Sequence, residues 1–423
     1  MNILVIGSGG REHALVYKLA QSASAGKIYC SPGNPGIFKI AADPGINSSD
    51  FSAISAFCNE SKIDLVVVGP EQPLSEGITD FLQAEGINVF GPSRAAAMLE
   101  SSKGFAKDFM KKYSIPTASY KRFTNKEKES AIEYISAGKF PVVIKADGLA
   151  AGKGVIIADT EKDALKTIED IFGGTFGAAG SSIVIEEYLP GEEASILAIT
   201  DGSDYVTLAA AQDHKRIFDG DKGKNTGGMG AYAPAPIVGE GLMDKIRNKI
   251  IGPTIEGMKN EGTPFAGCLY AGLMISGGDP YVIEYNARFG DPETQAVLSV
   301  FDGDFARLLF SAAAGAIDKS AVVNPANGYC CCVILASQGY PDSYEKGYEI
   351  TGIEKAEERG SVVFHAGTAL KNGRLVNTGG RVLGVCGMGE TLKESIEKTY
   401  CNIKSIFFEN MYYRNDIGKK GLK

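Results

Sequence analysis

The sequence predicts a protein of mixed α/β and α+β class that opens on a Rossmann-like parallel sheet and closes on a small separate unit. Three observations predict it. Strand and helix patterns alternate up to residue 92, a glycine-rich loop joins two strands inside a short α+β stretch, and strands return in the second half, one with a chemically equipped face. At 423 residues the chain has length for about three domains and for clefts between them.

In the first unit, 2–7, 27–31, 64–69 and 87–91 read as strands, with helices over 11–21, 51–61 and 76–84. Three strands end in turn-forming loops: Gly7-Ser8-Gly9-Gly10, Ser31-Pro32-Gly33-Asn34 and Gly69-Pro70-Glu71. Ligands of open α/β sheets gather at such carboxyl ends. A dinucleotide loop would need glycine where Glu12 stands, and the second strand ends in Ser31-Pro32 rather than an acid for a ribose, so NAD is not expected. The loop and the helix starting at Arg11 suit a single phosphate or ribose, held by backbone N–H groups.

A helical connection over 94–113 carries Lys103, and a small α+β unit follows. Its strands are expected near 119 and over 142–146, 155–158 and 183–187, with helices over 126–137 and 161–172. The loop Gly148-Leu149-Ala150-Ala151-Gly152-Lys153-Gly154 is too short before Gly-Lys for a P-loop, has Gly154 in place of Ser/Thr, and leads into a strand, so a hairpin folding over phosphates is the reading. Lys145, inside the strand Val-Val-Ile-Lys-Ala, would reach the same phosphates. The Pro190-Gly191 turn is a hinge candidate, whose backbone suits an adenine edge.

Strands resume from 195 to 300, interrupted by Gln212-Asp213-His214-Lys215-Arg216 and by 225–230, which read as loops covering a site. The strand 268–275 turns into 281–286. There Glu284, Asn286 and Arg288 should project to one side and Ile283, Tyr285 and Phe289 to the other. A carboxylate and an amide oxygen two residues apart suit Mg²⁺, and the guanidinium suits a phosphoryl or carboxylate oxygen; a solvated polar strand face is the alternative. Pro292 starts a helix through 315. The last unit has strands over 329–336, 362–366 and 382–386, a helix over 390–406, and Arg381 after two glycines, either an anion contact or an exposed turn residue.

Composition is that of a globular chain, 44% apolar and 22% charged, with no run long enough to span a membrane. A net charge of −8 argues against a general nucleic-acid partner. The eight cysteines, including Cys330-Cys331-Cys332, have no C-x-x-C spacing and read as reduced core residues. The three histidines are scattered in sequence. The opening residues lack the features of a secretory signal, so a cytoplasmic location is expected.

Five stretches together resemble the phosphoribosylamine-glycine ligase family, ATP-grasp enzymes of purine biosynthesis: Gly7-Ser8-Gly9-Gly10-Arg11-Glu12-His13-Ala14, the run from Lys145 to Gly154, Gln212-Asp213-His214-Lys215-Arg216, 225–232, and Arg288-Phe289-Gly290-Asp291-Pro292-Glu293. The resemblance covers nearly the whole chain. It implies a Rossmann-like domain over 1–101, a two-part ATP-grasp domain over 102–327 with 117–193 as its mobile lid, and a C-terminal domain over 328–423. It places Lys103, Lys145 and Lys215, with Gly152, Lys153 and Gly154, on ATP phosphates. Glu186 or Glu187 and Leu189 fall at adenine, Glu193 at the ribose, and Glu284 and Asn286 on Mg²⁺, with Mn²⁺ as the alternative ion. Arg288, Lys215 and Asp213 are the catalytic candidates. Gly9, Gly10, Arg11, Glu12, Asn34, Glu71 and Arg381 are candidates for the phosphoribosyl group, and Asn225, Gly228, Arg288 and Asp291 complete the substrate set. The wider ATP-grasp pattern often has another acidic ligand on the preceding strand; here that stretch reads Leu269-Tyr270-Ala271-Gly272-Leu273.

The implied partners are ATP, glycine and phosphoribosylamine, with no nucleic acid and no membrane, in a monomer or homodimer. The implied reaction moves the γ-phosphoryl of ATP onto glycine, and the amine of phosphoribosylamine then displaces phosphate. Two other readings keep the nucleotide site: another ATP-grasp carboxylate-amine ligase, or an ATP-binding regulator without turnover.

Overall fold

The first sheet of the computed structural model, which describes residues 1–148 and 154–422, is parallel and four-stranded, in the order Ile28–Pro32, Ile3–Gly7, Leu65–Val68, Val89–Phe90. Ile3 to Ile6 and Leu65 to Val68 are buried on both faces, which is why these runs are continuously apolar rather than alternating. The helix Gly10–Ala20 leaves directly from the first strand. Gly7 makes that turn at φ +129°, and a Cβ there would lie 2.4 Å from Glu12 Cγ.

The helix expected over 94–113 is broken into Met98–Ser101 and Lys103–Lys112. Ser102 is extended, with φ −136° and ψ 110°, and its hydroxyl accepts the Phe105 N–H at 3.1 Å as an N-cap. Lys103 is thereby the first residue of a new helix, and Lys107 lies one turn further along the same face.

The second sheet is antiparallel, ordered Tyr120–Thr124, Ser182–Glu187, Val142–Ala146, Val155–Ala158. The helices Lys128–Ser136 and Glu161–Asp170 pack on it through their own core, which includes Phe123, Ile135, Ile144 and Ile168. The third sheet is also antiparallel, ordered Tyr205–Thr207, Glu192–Asp201, Ala266–Ser276, Asp279–Asn286.

The two polar interruptions expected as loops are loops only in part: 214–215 and 226–229 lie outside any strand, while their flanks pair as short strands. Gln212–Asp213 pairs with Gly230–Ala233, and Arg216–Phe218 pairs with Lys222–Asn225. Gly230–Ala233 continues into a sheet with Tyr329–Ser337, Arg381–Gly389 and Ser361–His365, so strand pairing joins the middle of the chain to its last third. Local polarity hid these strands because both flank the cleft and carry its polar groups. Cys331 faces one core and Cys330 and Cys332 the other, as strand alternation requires. The single helix expected from Pro292 is two, Glu293–Val300 and Phe305–Ala313, separated by a bridge between Asp302–Gly303 and Val322–Asn324. Among the described residues no helix is long and apolar enough to cross a membrane.

Candidate active site

A cleft of about 1020 Å³ opens where the four sheets meet. Its central wall is the strand Asp279–Asn286, and that strand departs from simple alternation. Gly272 pairs with Glu284 but Leu273 pairs with Val282, leaving Ile283 as a β-bulge. Val282 and Tyr285 therefore both face the core, while Ile283, expected beside Tyr285, lines the cleft next to Glu284. Glu284, Asn286 and Arg288 do share the cleft side. Gly272 lets Glu284 lie flat across its neighbour, since a Cβ there would come within 2.9 Å of Glu284 Cγ.

On one side of this wall the lysines gather. Lys145 donates to the freed Ile283 carbonyl at 2.7 Å, and its ammonium lies 2.8 Å from Glu186 Oε1. That approach is an ion pair by distance but not an aligned hydrogen bond, leaving Oε1 without a donor in line. Glu186 Oε2 accepts from Lys107 at 2.8 Å. Lys107 was not singled out in the sequence, although its four-residue spacing from Lys103 marks the same helix face. Burial pulls Lys107 down to about 8, with Glu186 opposing and Lys145 adding. Lys103 donates to the Gly148 carbonyl at 3.1 Å, and burial lowers it against the pull of Glu284. Glu186 is buried, whereas Glu187 is exposed and accepts the Ser119 N–H at 2.8 Å. Glu187, Leu189 and Gly154 also line the cleft.

Lys215 forms the second cluster. Its ammonium is 2.8 Å from Glu193 Oε2 and 3.4 Å from Glu284 Oε1. Burial works against its charge, but Glu193, Asp213 and Glu284 outweigh burial and hold it well above the ordinary range. Lys215 in turn holds Glu284 below the usual carboxylate range, against burial. Asp213 is pushed up by burial, with Lys215 opposing. Behind them Tyr270 donates to Glu293 Oε1 at 2.8 Å and lies 2.8 Å from the Ser195 hydroxyl. Glu293 is a further carboxylate in the cleft wall, held by Tyr270 of the 269–273 stretch, and it reaches the site from a helix.

Arg288 sits between Glu71 Oε2, 3.2 Å from Nε, and Glu100 Oε1, 3.1 Å from Nη2. Burial works to raise Glu71, but Arg288 and Arg11 bring it below the usual range; burial raises Glu100, with Arg288 opposing. Arg11 donates to Glu12 Oε1 at 2.6 Å, and Gly9 N–H donates to Glu12 Oε2 at 2.6 Å. The Glu12 carboxylate thus occupies an N–H group that a dinucleotide loop would offer to phosphate. Arg381 donates to the carbonyls of Gly227 and Asp291, both at 2.7 Å, and lies 3.0 Å from Asp291 Oδ2. Asn225 and Asp291 line the cleft with it.

Five expected substrate residues are not in the cleft wall. Gly9 and Gly10 form the turn above Glu12, and a Cβ on Gly228 would strike Pro292 Cδ at 2.4 Å. Asn34 is committed to backbone: its amide nitrogen donates to Ser8 and His365 carbonyls at 2.8 and 2.9 Å, and its oxygen accepts from Gly36 and Ile37 at 2.9 and 3.0 Å. It borders a separate, smaller cavity with Phe38 and Leu370. Glu12 lies beneath the loop as described. Gly152 and Lys153 lie outside the described residues.

Glu284 and Asn286 offer one carboxylate and one amide oxygen, and among the described residues no group of three His, Cys, Asp or Glu side chains could hold a metal ion. This donor set fits an ion that keeps oxygen ligands from water and phosphate, as Mg²⁺ does.

The chain matches three family profiles in succession: phosphoribosylglycinamide synthetase, N domain, over residues 1–100; its ATP-grasp (A) domain over 101–294; and its C domain over 330–420. It is 49% identical to a phosphoribosylamine–glycine ligase of Agrobacterium fabrum over 99% of this chain and 98% of that one. A crystal structure of phosphoribosylamine–glycine ligase from Thermotoga maritima superposes with TM-score 0.86 at 36% identity, covering 99% of this chain and 100% of that one. A biotin carboxylase from Campylobacter jejuni shares the fold at TM-score 0.73 and 16% identity, over 97% of this chain and 92% of that one.

Proposed function

The chain belongs to the phosphoribosylglycinamide synthetase family, and from that premise we infer that it is a ligase joining the carboxyl of glycine to the amine of 5-phosphoribosylamine in purine biosynthesis, with ATP cleaved to ADP and phosphate. The observation that carries the site assignment is the meeting of four charged groups in one cleft: Lys145 and Glu284 from strands of two different sheets, Lys215 from the turn after Gln212–Asp213, and Arg288 from just beyond Asp279–Asn286.

Glycine's carboxylate is a poor electrophile because its leaving group would be oxide. In our reading it first takes the γ-phosphoryl of ATP to become glycyl phosphate, and the amine then attacks its carbonyl carbon, releasing phosphate and a proton. Bringing a carboxylate to a triphosphate costs about 4 kcal/mol per unit pair at 4 Å and an effective dielectric near 20, roughly a thousandfold in rate. Lys145, Lys215 and Arg288 offset that repulsion with positive charge already present in the cleft, which is electrostatic preorganisation. Glu284 and Asn286 would hold a divalent cation, Mg²⁺ or alternatively Mn²⁺, which when bound supplies further neutralisation of phosphate charge. Lys103 lies at the edge of the same phosphate region, and Glu186 and Leu189 border the space for adenine. Asp213 lines the cleft with Lys215 and is the third catalytic candidate. Arg11, Glu71 and Arg381 line the opposite end, which we assign to the phosphoribosyl group, and residues 117–193 act as a lid. The work of such an enzyme belongs in the cytoplasm, with its nucleotide supply.

The test is ADP release from ATP and Mg²⁺ with glycine alone, freshly generated phosphoribosylamine alone, and both. Release that needs both, with glycinamide ribonucleotide formed, is expected. Equal release without either substrate would contradict the ligase reading.

A further inference from the structure

One carboxylate in the cleft carries two cations. Lys107 Nζ is 2.8 Å from Glu186 Oε2, and Lys145 Nζ is 2.8 Å from Glu186 Oε1, with side-chain exposures of 3%, 7% and 2% for Lys107, Lys145 and Glu186. So little exposure leaves water with little part in compensating these charges.

The two ammoniums are held differently. Lys107 is anchored by the Thr117 hydroxyl at 2.7 Å, which itself donates to the Val282 carbonyl at 2.6 Å, and it makes a hydrogen bond to Glu186 at 2.8 Å. Lys145 directs its hydrogen bond to the Ile283 carbonyl and meets Glu186 out of line. Lys107 is thus the committed partner and Lys145 the loosely engaged one. A buried carboxylate left with a single cation binds that cation tightly, because separating them strands both charges. Without Lys107, that cation is Lys145.

We propose that Lys107 is a positioning residue: as the standing counter-ion of Glu186, it leaves Lys145 free to turn to a nucleotide phosphate. The proposal rests on the reading of Lys145 as a phosphate ligand given above. Lys107 need not touch the nucleotide to do this.

Calorimetric titration of the full chain with ATP and Mg²⁺, without glycine, tests it, with adenosine measured by competition. Lys107→Met should weaken ATP about tenfold or more, the loss of one charge-assisted contact, and leave adenosine unchanged. In a Glu186→Gln background no carboxylate competes for Lys145, so adding Lys107→Met should leave ATP affinity where it was. If Lys107→Met alone fails to fold, Lys107→Gln, which removes the charge but keeps a hydrogen-bond donor for Glu186, takes its place in both backgrounds. Equal losses for ATP and adenosine, no loss for either, or the same loss in the Glu186→Gln background would each overturn the proposal. Lys145→Met separates the two readings. If it leaves ATP affinity intact, the phosphate assignment fails; if it weakens ATP while Lys107→Met does not, only the role of Lys107 fails.

Discussion

Lys215 and Glu284 face each other at 3.4 Å across the cleft floor, one from the turn after Gln212–Asp213 and the other from the bulged strand Asp279–Asn286. Each shifts the other toward its charged form, so the site holds a cation and an anion side by side. That pairing suits a nucleotide whose phosphates need a lysine and whose cation needs a carboxylate.

Glu284→Gln should lower kcat/KM by about 10²–10³-fold, the scale of losing one preorganised charged group. Lys215 keeps Glu193 as a partner at 2.8 Å, so the variant should fold normally. Lys145→Ala should behave likewise in activity. Steady-state kinetics together with a melting curve reads both, and near-normal turnover in either variant sinks the site assignment.

Arg381 belongs to the C-terminal sheet but holds Asp291 and Gly227 beside the cleft. Arg381→Ala should raise KM for phosphoribosylamine about tenfold while changing KM for ATP little. Lysine should not rescue it, since one ammonium cannot reproduce three divergent donor contacts. A larger effect on ATP than on phosphoribosylamine would move the phosphate anchor elsewhere.

His214 is buried against Tyr232, and neither ring nitrogen has a protein partner among the described residues. Burial first, then Arg414 and Lys420, lowers it from 6.5 to about 4. The folded state therefore binds fewer protons than the unfolded chain between these values, so stability present above pH 6.5 is lost as pH falls through 4. Full protonation would cost about 3 kcal/mol. His214→Phe should match or exceed the wild type in urea at pH 7 and lose less stability on going to pH 4.5; parallel losses would contradict this account. His13 and His365, lowered chiefly by burial to about 3 and about 4, add further acid sensitivity in both proteins.

The first sheet was legible because each of its strands is an apolar run and each helix follows in sequence. Lys145 was legible because a lysine in Val-Val-Ile-Lys-Ala has nowhere apolar to go. The bulge at Ile283 was not, since it arises from register against Gly272 and Leu273, a relationship between strands rather than a pattern within one. The same holds for Gly230–Ala233, whose partner lies about a hundred residues away in Tyr329–Ser337. Asn34 looked like a ligand residue because turn asparagines and ligand asparagines share a sequence context; its four backbone hydrogen bonds appear only once His365 is in place.

The most direct test of the acyl-phosphate route uses glycine labelled with ¹⁸O at both carboxylate oxygens. One oxygen bridges carbon and phosphorus in glycyl phosphate and leaves with phosphorus when the amine displaces it. The account predicts one ¹⁸O in each inorganic phosphate released and one in the amide of the product. Phosphate free of label would contradict it.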